Sequence, residues 1–181
     1  MILGVVVVSS EFTSTGDEGP RARQLTTTLI AAPRRMRLLT AKTAALVLVA
    51  ATQAVIAVSA TLALTRALHD VPLPAAGRLV AAIVYWVLIA LLAYSITLIA
   101  RNGIVPLAFL IVNSTFVSVS YLLTKVTDAA AYLPDIVGAQ MFIRGGDFPV
   151  KLSPTVAGLV MSAWIAGFLA VGAALFQRRD P

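Results

Sequence analysis

The sequence predicts an all-α, polytopic integral membrane bundle, and three observations predict it. Hydrophobic residues fill 59% of the 181 positions and charged residues only 12%, and the mean hydropathy is +0.92, well beyond the apolar share of an ordinary globular domain. Four stretches, residues 43–65, 79–100, 104–124 and 155–177, contain no Asp, Glu, Lys, Arg or His. At about 1.5 Å per residue each reaches roughly 30 Å, the thickness of a hydrocarbon core. Where no water can satisfy a strand edge, helices close their own hydrogen bonds, so four full transmembrane helices are expected.

The chain opens with MILGVVVV, eight residues that make about 12 Å of helix and cannot span alone. It lacks the positive n-region and cleavage motif of a signal peptide. Two readings stay open: the end of a longer transmembrane helix, or a short apolar leader dipping into the membrane.

Residues 10–42 are the most polar and basic part of the chain. Asp17, Glu18, Gly19 and Pro20 have the form of a helix start, acids near the positive end of the dipole and proline in the first turn, and Pro33 ends the run. The result is a short helix over residues 21–32, with Leu25, Leu29 and Ala32 on one narrow apolar stripe. After Pro33, RRMRLLTAK suits a helix at headgroup level that then turns into the first span. A mere connector would need far fewer residues.

Punctuation marks the other boundaries. Pro72, Pro74 and Gly77 interrupt the first connection, Asn102 and Gly103 form a tight turn, Pro106 sits in a first turn, and Ser153 with Pro154 caps the last span. Residues 125–153 form a long, weakly polar loop. Within it Ile136, Ala139 and Ile143 recur at helical spacing between Pro134 and Gly145–Gly146, which predicts a short amphipathic helix.

Alternation of the spans puts Arg21, Arg23, Arg34, Arg35, Arg37, Lys42, Arg101, Arg178 and Arg179 on one side and Arg66, Arg78, Lys125, Arg144 and Lys151 on the other. The more basic side, which carries the C-terminus, is therefore expected to be cytoplasmic. The net charge of +6 and pI near 10.3 raise the possibility of a nucleic-acid binder. The basic residues flank membrane spans with no aromatic-basic platform, so anionic lipid is the better partner and none is expected in nucleic acid. The chain has no cysteine, which removes thiol catalysis and Cys-ligated metals.

SSEF at 9–12, RQLTTTLIAAPRR at 23–35 and AK at 41–42 resemble the intracellular loop of bacterial type-2 ATP-binding-cassette (ABC) transporter permeases, and RRD at 178–180 is similar to the tail of their actinobacterial members. The resemblance follows segment order along nearly the whole chain. It implies a permease domain with a cytoplasmic coupling helix in the 10–42 loop, docking on a separate ATPase subunit through Leu25, Thr28 and Leu29, with Arg21 and Arg23 at the rim. It maps the four spans onto the last four of six and MILGVVVV onto the end of the second, so the chain departs from the family by the first helix and most of the second. It also implies re-entrant helices in residues 125–153, an exporter built as a homodimer or heterodimer of permeases, and residence in the bacterial plasma membrane.

No GxxxxGK[ST] phosphate loop is present, so ATP and Mg are expected in the partner, no cofactor in this chain, and no enzymatic activity of its own. Gln53, Tyr94, Asn113, Ser114, Ser118 and Tyr121 are the pathway candidates; Ser114, Ser118 and Tyr121 share one face, and Asn113 is the foremost because a mid-membrane amide needs partners. Hydroxyls in membrane helices more commonly bond backbone or neighbours, so packing is expected for most of the set. The same role is expected for Ala50, Ala54, Ala57, Gly167 and Gly172, while Trp86 and Trp164, inside spans, fill space or face lipid.

Rival classes fare less well. A proton-coupled carrier needs acids or histidines in its spans, and a haem anchor needs axial ligands there, whereas the single histidine, His69, lies in a loop. A non-transporting membrane scaffold or regulatory subunit is the alternative function.

Overall fold

The computed structural model describes residues 35–69, 72–100, 123–143, 145, 148 and 150–178. They form four α-helices and one short 3-10 helix: α1 (Arg35–Leu68), α2 (Ala76–Ala100), η1 (Asp128–Tyr132), α3 (Pro134–Gln140) and α4 (Pro154–Arg178). No strand occurs among the described residues. Within α1, α2 and α4, Leu39–Leu68, Ala76–Ala100 and Pro154–Leu175 are long and apolar enough to cross a membrane, and the chain is a helical, multi-pass membrane protein. The third of the four expected spans, residues 104–124, lies outside the described residues except for Leu123 and Thr124.

The first helix starts earlier than expected. Rather than a separate headgroup helix turning into a span at Thr43, residues 35–68 form one helix of 34 residues, about 51 Å long. The reason is compositional: between Arg35 and Leu68 there is no glycine or proline, and the charge at Lys42 marks where polarity changes, not where a helix must stop. Its exposed hydroxyls are satisfied within the helix. Ser59, Thr61 and Thr65 donate to the carbonyls of Val55, Ala57 and Thr61 at 2.6, 2.8 and 2.8 Å, as a low-dielectric surround requires.

α2 is the central plank. It packs against α1 on one side and α4 on the other, while α1 and α4 barely meet. Among the described side chains of α1 the buried ones are Leu39, Leu46, Ala50 and Ala54, and Leu39 and Leu46 cluster with Tyr94 and Leu98 near the end of α2. The start of α1 thus lies beside the end of α2, and the two are antiparallel. α4 runs the other way. Gly138 lies against both Tyr85 of α2 and Met161 of α4, and further along Gly172 of α4 meets Leu98 of α2, so α2 and α4 are parallel neighbours.

The small residues divide by what they face. At Gly172 a Cβ would stand 3.2 Å from Leu98 Cβ, which marks a close helix approach, whereas at Gly167 nothing lies within 4 Å. Contrary to expectation, Gly167 makes no close approach to the described residues, because its side of α4 is exposed. α4 begins as its sequence predicts: Val156 N–H donates to Ser153 Oγ at 3.4 Å, Ala157 N–H to Ser153 O at 2.9 Å, and Pro154 takes the first helical position.

A Cβ at Gly138 would collide with the Tyr85 ring and stand 3.2 Å from Met161 Sδ. Gly138→Ala is expected to destabilise the protein by about 1–3 kcal/mol through overpacking, seen as a lower unfolding temperature in detergent. Gly167→Ala serves as the control: with open space at its Cβ it should leave stability unchanged or raise it by up to about 1 kcal/mol.

Candidate functional site

Two polar junctions organise the described surfaces, one at each end of α2. The first joins α1 to α2. Tyr94 is only 1% exposed and packs with Leu39 and Leu46 of α1 and Leu98 of α2. Beside it the half-buried Thr43 donates to Leu39 O at 2.9 Å, so its hydroxyl is satisfied within its own helix. Ser95 and Thr97, on the adjoining turn of α2, are fully buried and donate to Leu92 O and Ala93 O at 2.8 and 2.7 Å. This junction locks the basic end of α1 onto α2.

The second junction lies between the segment before α4 and the helices it packs on. Thr127 caps η1, its side chain accepting from Ala129 N–H at 3.4 Å. Leu133, in extended backbone, joins η1 to α3, and Pro134 opens α3. At the end of η1, Tyr132 O accepts from the Trp164 indole N–H at 2.9 Å. Trp164 lies about 15 Å along α4 from Pro154. From there the chain climbs back: Gly138 meets Met161, Met141 reaches Gly158, and Gln140 Oε1 accepts from Leu152 N–H at 2.8 Å. Tyr85 and Phe142 pack at 5.1 Å between centroids, and Trp164 stacks on Phe168 at 5.7 Å. The segment enters the bundle beside α4, turns, and leaves towards the start of that helix.

The apolar stripe expected for this helix is displaced. Ile136 is buried, but Ile143 is 45% exposed and lies beyond the helix end; the packed face is Ile136, Val137, Gly138, Gln140 and Met141. Gly138 explains the difference, because the face without a side chain is the one that lets Tyr85 and Met161 close in.

The expected site residues are distributed as follows. Arg21, Arg23, Leu25, Thr28 and Leu29, and likewise Asn113, Ser114, Ser118 and Tyr121, lie outside the described residues. Tyr94 is buried in the α1–α2 junction, whereas Gln53 is exposed on α1, about 15 Å along the helix from Thr43; the fold does not bring these two together. His69 is exposed at the bend after α1, its N–H bonded to Thr65 O at 2.9 Å. Among the described residues no three His, Cys, Asp or Glu side chains group as a metal site. The Trp164–Tyr132 bond and the buried Gln140 were missed by spacing arguments. The signal for Trp164 was an indole in mid-span, where its N–H must find an acceptor.

Comparison with protein-family models, with curated proteins and with solved structures finds no match to this chain.

Trp164→Phe keeps the stacked ring and removes the donor to Tyr132 O. The loss of one hydrogen bond, about 1 kcal/mol, should loosen the segment locally. Amide exchange over residues 128–141 is expected to accelerate by roughly fivefold while exchange in α1 stays unchanged.

Proposed function

We propose that this chain is the membrane-spanning permease subunit of an ABC-type exporter, coupling ATP hydrolysis in a separate ATPase subunit to movement of a hydrophobic or amphipathic substrate. It would work as a dimer of permeases in a bacterial plasma membrane, with four full spans and a cytoplasmic C-terminus. The family reading starts from the likeness of residues 9–42 to a coupling loop.

One structural observation carries it further. α1 continues without a break from Arg35 to Leu68 and is packed onto α2 through Leu39, Leu46, Tyr94 and Leu98. A displacement applied to the segment before Arg35 would pass as a rigid-body movement into the bundle, which is what a coupling element needs. A flexible joint at Lys42 would have absorbed it.

Two further features support the reading. α2 and α4 are parallel, and a chain that leaves one and enters the other in the same direction has to recross the membrane between them, in keeping with a span at residues 104–124. The segment of η1 and α3, folded in against α2 and α4, fits the re-entrant element expected there. ATP and Mg belong to the partner in this scheme, since the chain carries no phosphate loop.

The deciding experiment is a pull-down of the chain tagged at its C-terminus, with bound proteins identified by mass spectrometry. Recovery of an ATPase bearing a phosphate loop is expected, and replacing Leu25 and Leu29 together by Asp should abolish both that recovery and transport. A folded chain that brings down no ATPase would favour a membrane scaffold instead. Orientation is checked separately. The chain has no cysteine, so His69→Cys should react with an impermeant maleimide in intact cells and Arg178→Cys only after permeabilisation; the reverse pattern would invert the topology.

A further inference from the structure

α4 serves as a ruler for depth. Its membrane-crossing stretch, Pro154–Leu175, has 22 residues, and Trp164 stands at the middle of it, about 15 Å from Pro154. The Trp164 indole N–H reaches Tyr132 O, so the end of η1 is held near that level. Gly138 lies against Met161 of α4 and Tyr85 of α2, which are about 10 Å from Pro154 and about 14 Å from Ala76. Two helices thus place α3 at one depth, inside a hydrocarbon core of roughly 30 Å.

The sequence puts two carboxyl groups on this stretch. Asp135 lies between Tyr132 and Gly138, in the first turn of α3, and is half-buried. Asp128 opens η1 and is exposed; four 3-10 steps of about 2 Å keep it within roughly 8 Å of Tyr132, whichever way η1 runs. Residues 125–129 are all exposed, and Tyr132 is 45% exposed. The backbone is irregular as well, since η1 gives way to extended Leu133 before Pro134 restarts a helix.

Neither feature suits contact with lipid. An ionisable side chain at this depth faces the protein interior or water, and backbone outside an α-helix is tolerated there where it is buried in protein or lines an aqueous cavity. For an exposed segment the second condition remains. Aspartate also lacks the long stem with which Lys or Arg carries its charge back to the head groups.

We propose that η1 and the start of α3 line a water-filled recess, which opens on the face where α2 and α4 begin and reaches Asp128 and Asp135. The acid-free stretches 79–100 and 155–177 supply the apolar helices beside it, and the loop between them supplies the acids. Water thereby enters the half of the membrane nearest that face, alongside α4. The recess stands independently of the transport reading, since it uses no residue of the coupling segment or of the pathway set.

Single cysteines in this cysteine-free chain report the water directly, because the thiolate is the nucleophile and a thiol in hydrocarbon stays protonated. The full chain is reconstituted in sealed phosphatidylcholine vesicles, and the impermeant 2-sulfonatoethyl methanethiosulfonate is added outside. The fraction of His69→Cys that reacts defines the molecules whose α2 and α4 begin on the outer side. Asp128→Cys and Asp135→Cys are two probes. Ala129→Cys, exposed in η1, leaves both acids in place and decides the matter should an Asp variant fail to fold. Leu159→Cys is the control, 70% exposed on α4 and only about 7.5 Å from Pro154. The three recess positions are expected to react at least about tenfold faster than Leu159→Cys, the reverse of the order that depth alone would give. A rate at Ala129→Cys, or at either folded Asp variant, no higher than at Leu159→Cys overturns the proposal and puts the segment against lipid or beneath another chain.

Discussion

A polar group inside hydrocarbon has no water to fall back on, and the described structure is arranged around that constraint. The hydroxyls of α1 turn back onto their own carbonyls one turn earlier, so the helix can present a largely apolar surface without stranding a donor. Where a polar group cannot be satisfied by its own helix, it becomes a tie between elements. The Trp164 indole reaches Tyr132 O, and Gln140 Oε1 takes the Leu152 N–H. Each bond joins parts of the chain that composition alone would leave free to slide, because apolar helix faces gain little from one another over lipid.

Between these ties the contacts are made by shape. Ala50 and Ala54 give α1 a flat buried side, Gly172 lets Leu98 approach α4, and Gly138 makes room for the Tyr85 ring and the Met161 thioether. Leu92, Val137, Met141, Ala157, Met161 and Ile165 then form a core shared by α2, α3 and α4. Large apolar side chains on the outside, such as Leu48, Ile56 and Leu159, belong with lipid and not with an exposed hydrophobic defect.

Much of this was readable in the order of residues. The absence of charge in residues 43–65, 79–100 and 155–177 located three helices to within a few residues, except at the start of α1. There the polarity changes at Lys42, while the backbone, with no glycine or proline between Arg35 and Leu68, has no reason to stop. Ser153 and Pro154 were legible because a cap acts through its immediate neighbours. Gly138, Gly167 and Gly172 look alike in sequence and differ only in what lies opposite, which local spacing does not encode. The candidate site was less legible for the same reason. Tyr94 could be named as a polar residue in a span, but the residues it packs on, Leu39 and Leu46, lie on another helix, and Gln140 gained its meaning only when Leu152 took one end of its amide.

The parallel arrangement of α2 and α4 has a consequence for the order of assembly. α1 and α2 are consecutive and antiparallel, and they can pair as a hairpin as soon as both are in the bilayer. α4 has to dock on a face of α2 that was left open more than fifty residues earlier in the chain, counting from Ala100 to Pro154. Its docking also needs η1 and α3 to be in position, since Val137 and Met141 supply part of the same core. Chain order alone thus leaves one side of α2 without its native neighbour until α4 has been made. That interval is when the open side of α2 can meet a wrong neighbour, and a late-arriving indole that hydrogen-bonds only in the correct depth register gives the final step a means of discrimination.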